Sequence, residues 1–203
     1  SFHGSEENMK KRGPALWRGQ HLRVFERTIR GPDGAKHTWE CVERPGVKDI
    51  VAVLPVFGVD GVSTTLLVEQ YRAPLGCRIL ELAAGLCDVR GETLLQAAKR
   101  ELREETGCIG GKFSAMPFGA ECSGLTNARL HVYVADNVRC TERRHLDVAE
   151  RASDLTVIQF PFNDLEEGLE AYQRRTGNPV DAKILAAHAW WYRAFKSDHE
   201  WEA

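Results

Sequence analysis

The octet RELREETG at residues 100–107 constrains this chain more than any other stretch. On a helix, residues three and four apart are surface neighbours, so Glu101, Glu104 and Glu105 crowd together. Each like-charge pair costs roughly 0.2–0.5 kcal/mol in an isolated helix. Two arrangements offset that cost. Arg100 stands four residues before Glu104 and Arg103 lies between the acids, so salt bridging on a solvated face is one. A divalent cation held by the carboxylates is the other. The helix reads back through ETLLQAAK to Glu92, with Leu95, Ala98 and Leu102 on one apolar stripe and Gly107 as its C-terminal stop. Glu92 at the helix start suits the positive end of the dipole.

Around this helix the pattern is mostly strands. HLRVFERTIR (21–30) and AKHTWECVER (35–44) alternate about the turn GPDG, which predicts a β-hairpin. IVAVLPVF (50–57) is an almost unbroken apolar run, as expected of a strand buried on both faces. STTLLVEQY and the short RILEL follow as strands, and AAGLCDVRG reads as a loop before the helix. Further strands are predicted over 112–118, 129–135 and 154–160, and helices over 163–174 and 180–195. The order defines an α+β class, with mixed sheets and helices in an αβα arrangement. Residues 1–47 form a polar lead-in and an N-terminal β subdomain, and residues 48–203 form the main domain.

Composition narrows the function. A net charge of -2 offers no basic footprint for nucleic acid, so the expected substrate is the size of a nucleotide. No apolar run approaches the roughly 20 residues of a membrane span. The start SFHGSEENMKKRG lacks the apolar core of a secretory signal, and Met9 is a candidate original start. The six cysteines show no paired spacing, so reduced thiols in a cytoplasmic protein are expected, with neither a disulfide framework nor a zinc site.

Residues 81–108, ELAAGLCDVRGETLLQAAKRELREETGC, resemble the Nudix box, G-x5-E-x7-R-E-U-x-E-E-x-G-U with U aliphatic. Glu92, Arg100, Glu101, Leu102, Glu104, Glu105 and Gly107 match at their spacing, and Cys108 takes the last U position. Gly85 stands six residues before Glu92 instead of five, so the loop carries one extra residue. The segments HTWECVER, LLVEQYRAPLG, ELAAGLCD, SGLTNARLHVYVAD and NPVDAKILAAHAWWYR look like the ADP-ribose pyrophosphatase branch, in the same order.

The resemblance implies a Nudix fold and Mg2+-dependent hydrolysis of ADP-ribose to AMP and ribose 5-phosphate, with Mn2+ as a substitute ion. It implies metal ligation by Glu101, Glu104, Glu105 and the Ala84 carbonyl, with Arg100 orienting the carboxylates. Hard oxygen ligands of this kind suit Mg2+. It also implies a homodimer that shares its active site through the N-terminal subdomain. The purine-stacking tryptophan maps to Trp39 and the phosphate-contacting arginine to Arg72, while Glu40, Arg44 and Gly85 fall near the substrate. Leu22 stands where animal-type members carry a second stacking tryptophan, and Ala128 where many bacterial members carry an acid.

Single residues also carry plainer readings. Trp39 alone in a strand is an ordinary core aromatic, Arg72 a surface arginine, and the seven histidines lack metal-ligand spacing. The resemblance implies a general base in the loop HLDVAERASDL (145–155), with Glu150 first, Asp154 second, Asp147 third and Glu104 if none of these serves. Rival readings are a UDP-sugar or other nucleoside diphosphate pyrophosphatase and a catalytically silent nucleotide-binding module.

Overall fold

The computed structural model describes residues 13–140 and 144–195; Met9 and the polar lead-in before Gly13 lie outside them. The chain divides into two compact units. One comprises the described residues up to Asp49 together with Gly119–Leu130, and the other Ile50–Phe118 with the described residues from His131.

The first unit is a three-stranded antiparallel sheet, where the sequence suggests a hairpin. Its strands are β1 (Ala15–Arg18), β2 (Arg23–Arg30) and β3 (Lys36–Glu43). The turn closes at Gly31–Gly34, with Asp33 accepting from the Ala35 amide at 3.0 Å and Gly34 at φ +79°. The register Phe25↔Cys41 and Arg27↔Trp39 puts these four side chains on one face. Phe25 is buried there between the guanidinium groups of Arg23 and Arg27, each 5–6 Å from its ring. The 119–130 excursion joins this unit through the Val42 amide, which donates to the Leu125 carbonyl at 2.9 Å. It begins with β9 (Gly119–Ala120), paired with Arg129 and Leu130.

The second unit is built on β4 (Asp49–Val59), whose run from Val51 to Val56 is buried on both faces as the apolar pattern predicts. Its beginning pairs with β7 (Ala83–Leu86) and its end turns at Asp60–Gly61 into β5 (Val62–Arg72). β5 pairs in turn with β6 (Cys77–Glu81) and with β11 (Thr156–Pro161). β10 (Arg129–Cys140) and β8 (Cys108–Ala115) complete the order β11-β5-β4-β10-β8. The helices are α1 (Leu94–Thr106), α2 (Val148–Ala152), α3 (Leu165–Thr176) and α4 (Ala182–Phe195). His188 of α4 is buried, with Nε2 2.8 Å from the Phe162 carbonyl, and Trp191 packs edge-on to Phe162. Among the described residues no helix is long and apolar enough to cross a membrane.

Four expectations need correction. The stretch after RILEL is a strand, β7, because β4 offers it a pairing edge. Leu95 is exposed, and the buried face of α1 carries Ala97, Ala98, Glu101, Leu102 and Glu105. Glu92 lies outside the helix, which starts after Thr93: Thr93 and Gln96 form a reciprocal capping box, with no acid in the first turn. Finally, Cys108 and Cys140 form a disulfide although 32 residues separate them, because β8 and β10 place them directly opposite. Spacing in sequence could not register that proximity.

Candidate active site

The site grows from the packing of α1 beneath β7. The helix is held at both ends, by the capping box at Thr93 and by Gly107, whose left-handed backbone (φ +74°) lets its amide cap the Arg103 carbonyl. Its inward face turns Glu101 and Glu105 toward β7, leaving them 6% and 2% exposed. The Ala84 amide donates to Glu105 Oε2 at 3.0 Å. At Gly85 an added Cβ would lie 2.1 Å from Glu101 Oε1, so the bare backbone makes room for the carboxylate. Between Cys87 and Glu92 the chain turns, with the Glu92 amide donating to the Val89 carbonyl at 3.1 Å and Gly91 at φ +83°.

Arg100 offsets part of this charge. Its guanidinium grips Glu92 through two bonds, Nε to Oε1 at 2.9 Å and Nη2 to Oε2 at 3.0 Å. It also donates to Glu101 at 2.6 Å, to Glu104 at 3.1 Å and to the Leu86 carbonyl at 3.1 Å. Salt bridging therefore accounts for Glu92, Glu104 and one edge of Glu101. Glu105 accepts the Ala84 amide and feels the more distant charge of Arg72.

A third acid arrives from far along the chain. Glu150 on α2 brings its carboxylate to Glu101 and Glu105, with ligand oxygens all within 4.8 Å of one another. Glu104 is outside this trio; it holds Arg100, and its backbone carbonyl accepts the His145 amide at 2.9 Å. Asp147 caps α2, exchanging bonds with Glu150: the Glu150 amide to Asp147 Oδ1 at 2.7 Å, the Asp147 amide to Glu150 Oε2 at 2.5 Å. Asp154 faces elsewhere, its exposed carboxylate 3.2 Å from Arg78.

Burial of like charges shows in proton affinity. Desolvation, with Glu104 and Glu150 adding to it against the pull of Arg100, pushes the Glu101 carboxyl up to about 7. Glu105 is raised well above the carboxylate range, first by burial and then by Glu101 and Glu150. Glu150 is raised as well, chiefly by burial. Arg100 is held even more firmly protonated than usual, mostly by Glu92. Two buried carboxylates with a half-buried third suit a hard divalent cation, whose charge would remove the penalty of ionising them.

Arg72, at the end of β5, donates Nε to Glu81 Oε2 at 2.8 Å and lowers the proton affinity of Glu105 electrostatically. Trp39, Glu40 and Arg44 lie on the first unit. Trp39 is 52% exposed, with Nε1 donating to the Gly124 carbonyl at 3.1 Å; Glu40 is exposed on the same strand, and Arg44 ends it in a bridge with Val47. Sequence reasoning overlooked Gln70, Glu81 and Ser153, joined by Gln70 Nε2 to Glu81 at 3.0 Å and Ser153 Oγ to Gln70 Oε1 at 3.1 Å. No spacing signal announces them, because β-pairing brings them together.

Two buried acids and a half-buried third beneath a glycine-bearing strand, braced by one arginine, form a donor set suited to a hard divalent cation. Residues 47–187 match the NUDIX domain, and the chain belongs to that family. It is 33% identical over 176 residues to the ADP-sugar pyrophosphatase of Mus musculus, covering 83% of this chain and 80% of that one. It is 32% identical to the ADP-ribose pyrophosphatase of Mycobacterium tuberculosis (79% and 73% covered) and 29% identical to that of Bacillus subtilis (81% and 86%). A solved structure of an ADP compounds hydrolase superposes with a TM-score of 0.69 at 18% identity, covering 94% and 97% of the two chains, and carries the fold.

The raised carboxyls make a signed prediction. Because Glu101 and Glu105 bind protons more tightly folded than unfolded, metal-free protein loses stability as pH rises from the ordinary carboxylate range through about 7. Thermal melts in EDTA should show Tm falling over pH 5–8. A divalent cation at pH 8 should restore it, and Glu101→Gln should flatten the slope; a Tm rising with pH in EDTA contradicts this.

Proposed function

We propose that this chain hydrolyses the pyrophosphate bond of ADP-ribose or a similar nucleoside diphosphate sugar, giving AMP and ribose 5-phosphate, with Mg2+ as its ion and Mn2+ as a substitute. The observation that carries the reading is the convergence of Glu101, Glu105 and Glu150. The pyrophosphatase relatives, matched over most of their length, support the substrate class.

Glu101 and Glu105 would hold the ion, with the Ala84 carbonyl beside them and Glu104 extending the set. When bound, the ion neutralises phosphate charge and acidifies water. Glu150 takes the proton from the attacking water, and burial raises its affinity for that proton toward working pH. Asp147 holds Glu150 through the α2 cap. Arg72, with Nε engaged by Glu81, turns the rest of its guanidinium to a substrate phosphate. Arg100 orients Glu101 and Glu92 without touching substrate. Trp39 stacks the base, and Glu40, Arg44 and Gly85 border the substrate.

We also propose a homodimer formed through the first unit. Leu16, Trp17, Leu22 and Ile29 are exposed on its small sheet, which has little core of its own to stabilise it. A cytoplasmic setting completes the reading, supported by Cys41, Cys77, Cys87 and Cys122 remaining thiols beside the one disulfide, Cys108–Cys140.

With ADP-ribose and Mg2+, Glu105→Gln and Glu150→Gln should each lower kcat by about 10²-fold or more while the fold survives, as loss of a positioned electrostatic or proton-transfer group does. Near-wild-type rates in both would refute the assignment. Trp39→Ala should raise KM much more than it lowers kcat, because stacking is remote from the reacting phosphate; an unchanged KM would make Trp39 a packing residue. Light scattering at micromolar concentration should return twice the chain mass, and a fully active monomer would count against the dimer.

A further inference from the structure

Arg78 plays no part in the chemistry above, yet its guanidinium makes five hydrogen bonds. Nε donates to Glu69 Oε2 at 2.9 Å and Nη2 to the Glu69 carbonyl at 3.1 Å, which fixes the fork on β5. The same fork then reaches across to the far end of the Glu150 loop. Nη1 donates to Asp154 Oδ2 at 3.2 Å, and Nη2 lies 2.9 Å from the Asp154 carbonyl and 3.3 Å from Thr156 Oγ1. Glu69 is itself pinned by the Tyr172 hydroxyl at 2.5 Å and by Asn178 at 3.4 Å, so the anchor point is firm.

Asp154 sits where the chain leaves α2 for β11. Its backbone is left-handed, with φ +53°, a conformation that L side chains rarely adopt without support. The turn it makes closes on the catalytic segment. The Asp154 amide donates to Arg151, while the Leu155 amide and Ser153 Oγ both donate to the Glu150 carbonyl, at 3.2 and 2.9 Å. A helix of five residues has no stability of its own, so its direction is set by what holds its ends.

We infer that Arg78 is a positioning residue that clamps Asp154 in its left-handed turn and thereby aims Glu150 at Glu101 and Glu105. The inference rests on the reading of Glu150 as the proton acceptor. Only an arginine serves, because a planar fork must satisfy a carboxylate, a carbonyl and a hydroxyl on one side while holding Glu69 on the other. A lysine offers one point charge and cannot span both. Asp154, second choice as a base from the sequence alone, is in this inference the handle by which the loop is held.

The test is a double-mutant cycle on purified full-length protein, with ADP-ribose and saturating Mg2+, joined to amide hydrogen exchange of the substrate-free protein. Arg78→Ala should lower kcat about tenfold, within the range that small misplacements cost, with KM changed less than twofold. Arg78→Lys should not recover the rate. In the Glu150→Gln background, Arg78→Ala should lower kcat no further, because the group it aims is already gone. Exchange across residues 146–155 should quicken in Arg78→Ala without a matching change in α1. Should Arg78→Ala fail to fold, Asp154→Gly keeps the left-handed turn accessible, removes only the carboxylate arm, and should give the same pattern. Equal loss of kcat in both backgrounds, or unchanged exchange over 146–155, overturns the inference while leaving an impaired Glu150→Gln to support the base. Wild-type kcat in Glu150→Gln alone overturns the base assignment first, and the inference with it.

Discussion

Three carboxylates taken out of water beside one another are the feature on which the second unit depends. Glu101, Glu105 and Glu150 meet within 4.8 Å, two of them almost fully buried. Burying an ionised carboxylate without compensation costs several kcal/mol. The surrounding structure is arranged around that cost. Arg100 spends its whole guanidinium on Glu92, Glu101, Glu104 and the Leu86 carbonyl, which also fixes the loop before α1. The Ala84 amide turns toward Glu105, and Gly85 withdraws its side chain from Glu101. What these contacts leave uncompensated appears as raised proton affinity, and it is the driving force for taking up a cation.

The rigid partner of this cluster is the sheet. β4 is buried along most of its length and carries β7 on one stretch and β5 on another. Ala97, Ala98 and Leu102 seat α1 against Val51, Val53 and Ala135, so the helix cannot rotate its acids back to solvent without unpacking the core. Small residues at 97 and 98 are needed for the helix to come this close. The same strand β5 that buttresses the core ends in Arg72 and also offers Glu69 and Gln70 to the groups that hold the Glu150 loop. One strand thus sets both Arg72, proposed to face a substrate phosphate, and the placement of Glu150, the proposed base.

Much of this was legible in the sequence where the chemistry is local. Glu101 and Glu105 must lie one turn apart to reach one ion, so the spacing itself records the site. The unbroken apolar run of β4 and the GPDG turn likewise encode their structure in adjacent residues. Legibility ended where the partner is distant. The face of α1 that is buried depends on β7: of the stripe Leu95, Ala98 and Leu102, the last two are buried and Leu95 is exposed. Glu92 was read as a dipole partner because its bond to Arg100 spans eight residues and a cap. Cys108 and Cys140 meet through strand register, and Gln70, Ser153 and Arg78 meet through sheet pairing. Glu150 was named from a resemblance in an acidic loop, since nothing within that loop distinguishes three acids.

The structure separates the three acids by what each carboxylate is bonded to. Asp147 spends Oδ1 on the Glu150 amide, as a helix cap must, and its own amide takes Glu150 Oε2 in return. Asp154 is drawn to Arg78 at the opposite end of α2. Glu150 closes the reciprocal box through Oε2 and also brings a carboxylate oxygen within 4.8 Å of Glu101 and Glu105. Both tasks require length: an aspartate at position 150 would be a methylene short of closing the box while still reaching Glu105. A base held by its own helix cap pays its ordering entropy on folding and not at each turnover. The short helix α2 is therefore the device that converts an acid on a surface loop into one with a fixed direction, and its two ends, at Asp147 and Asp154, are where that direction is decided.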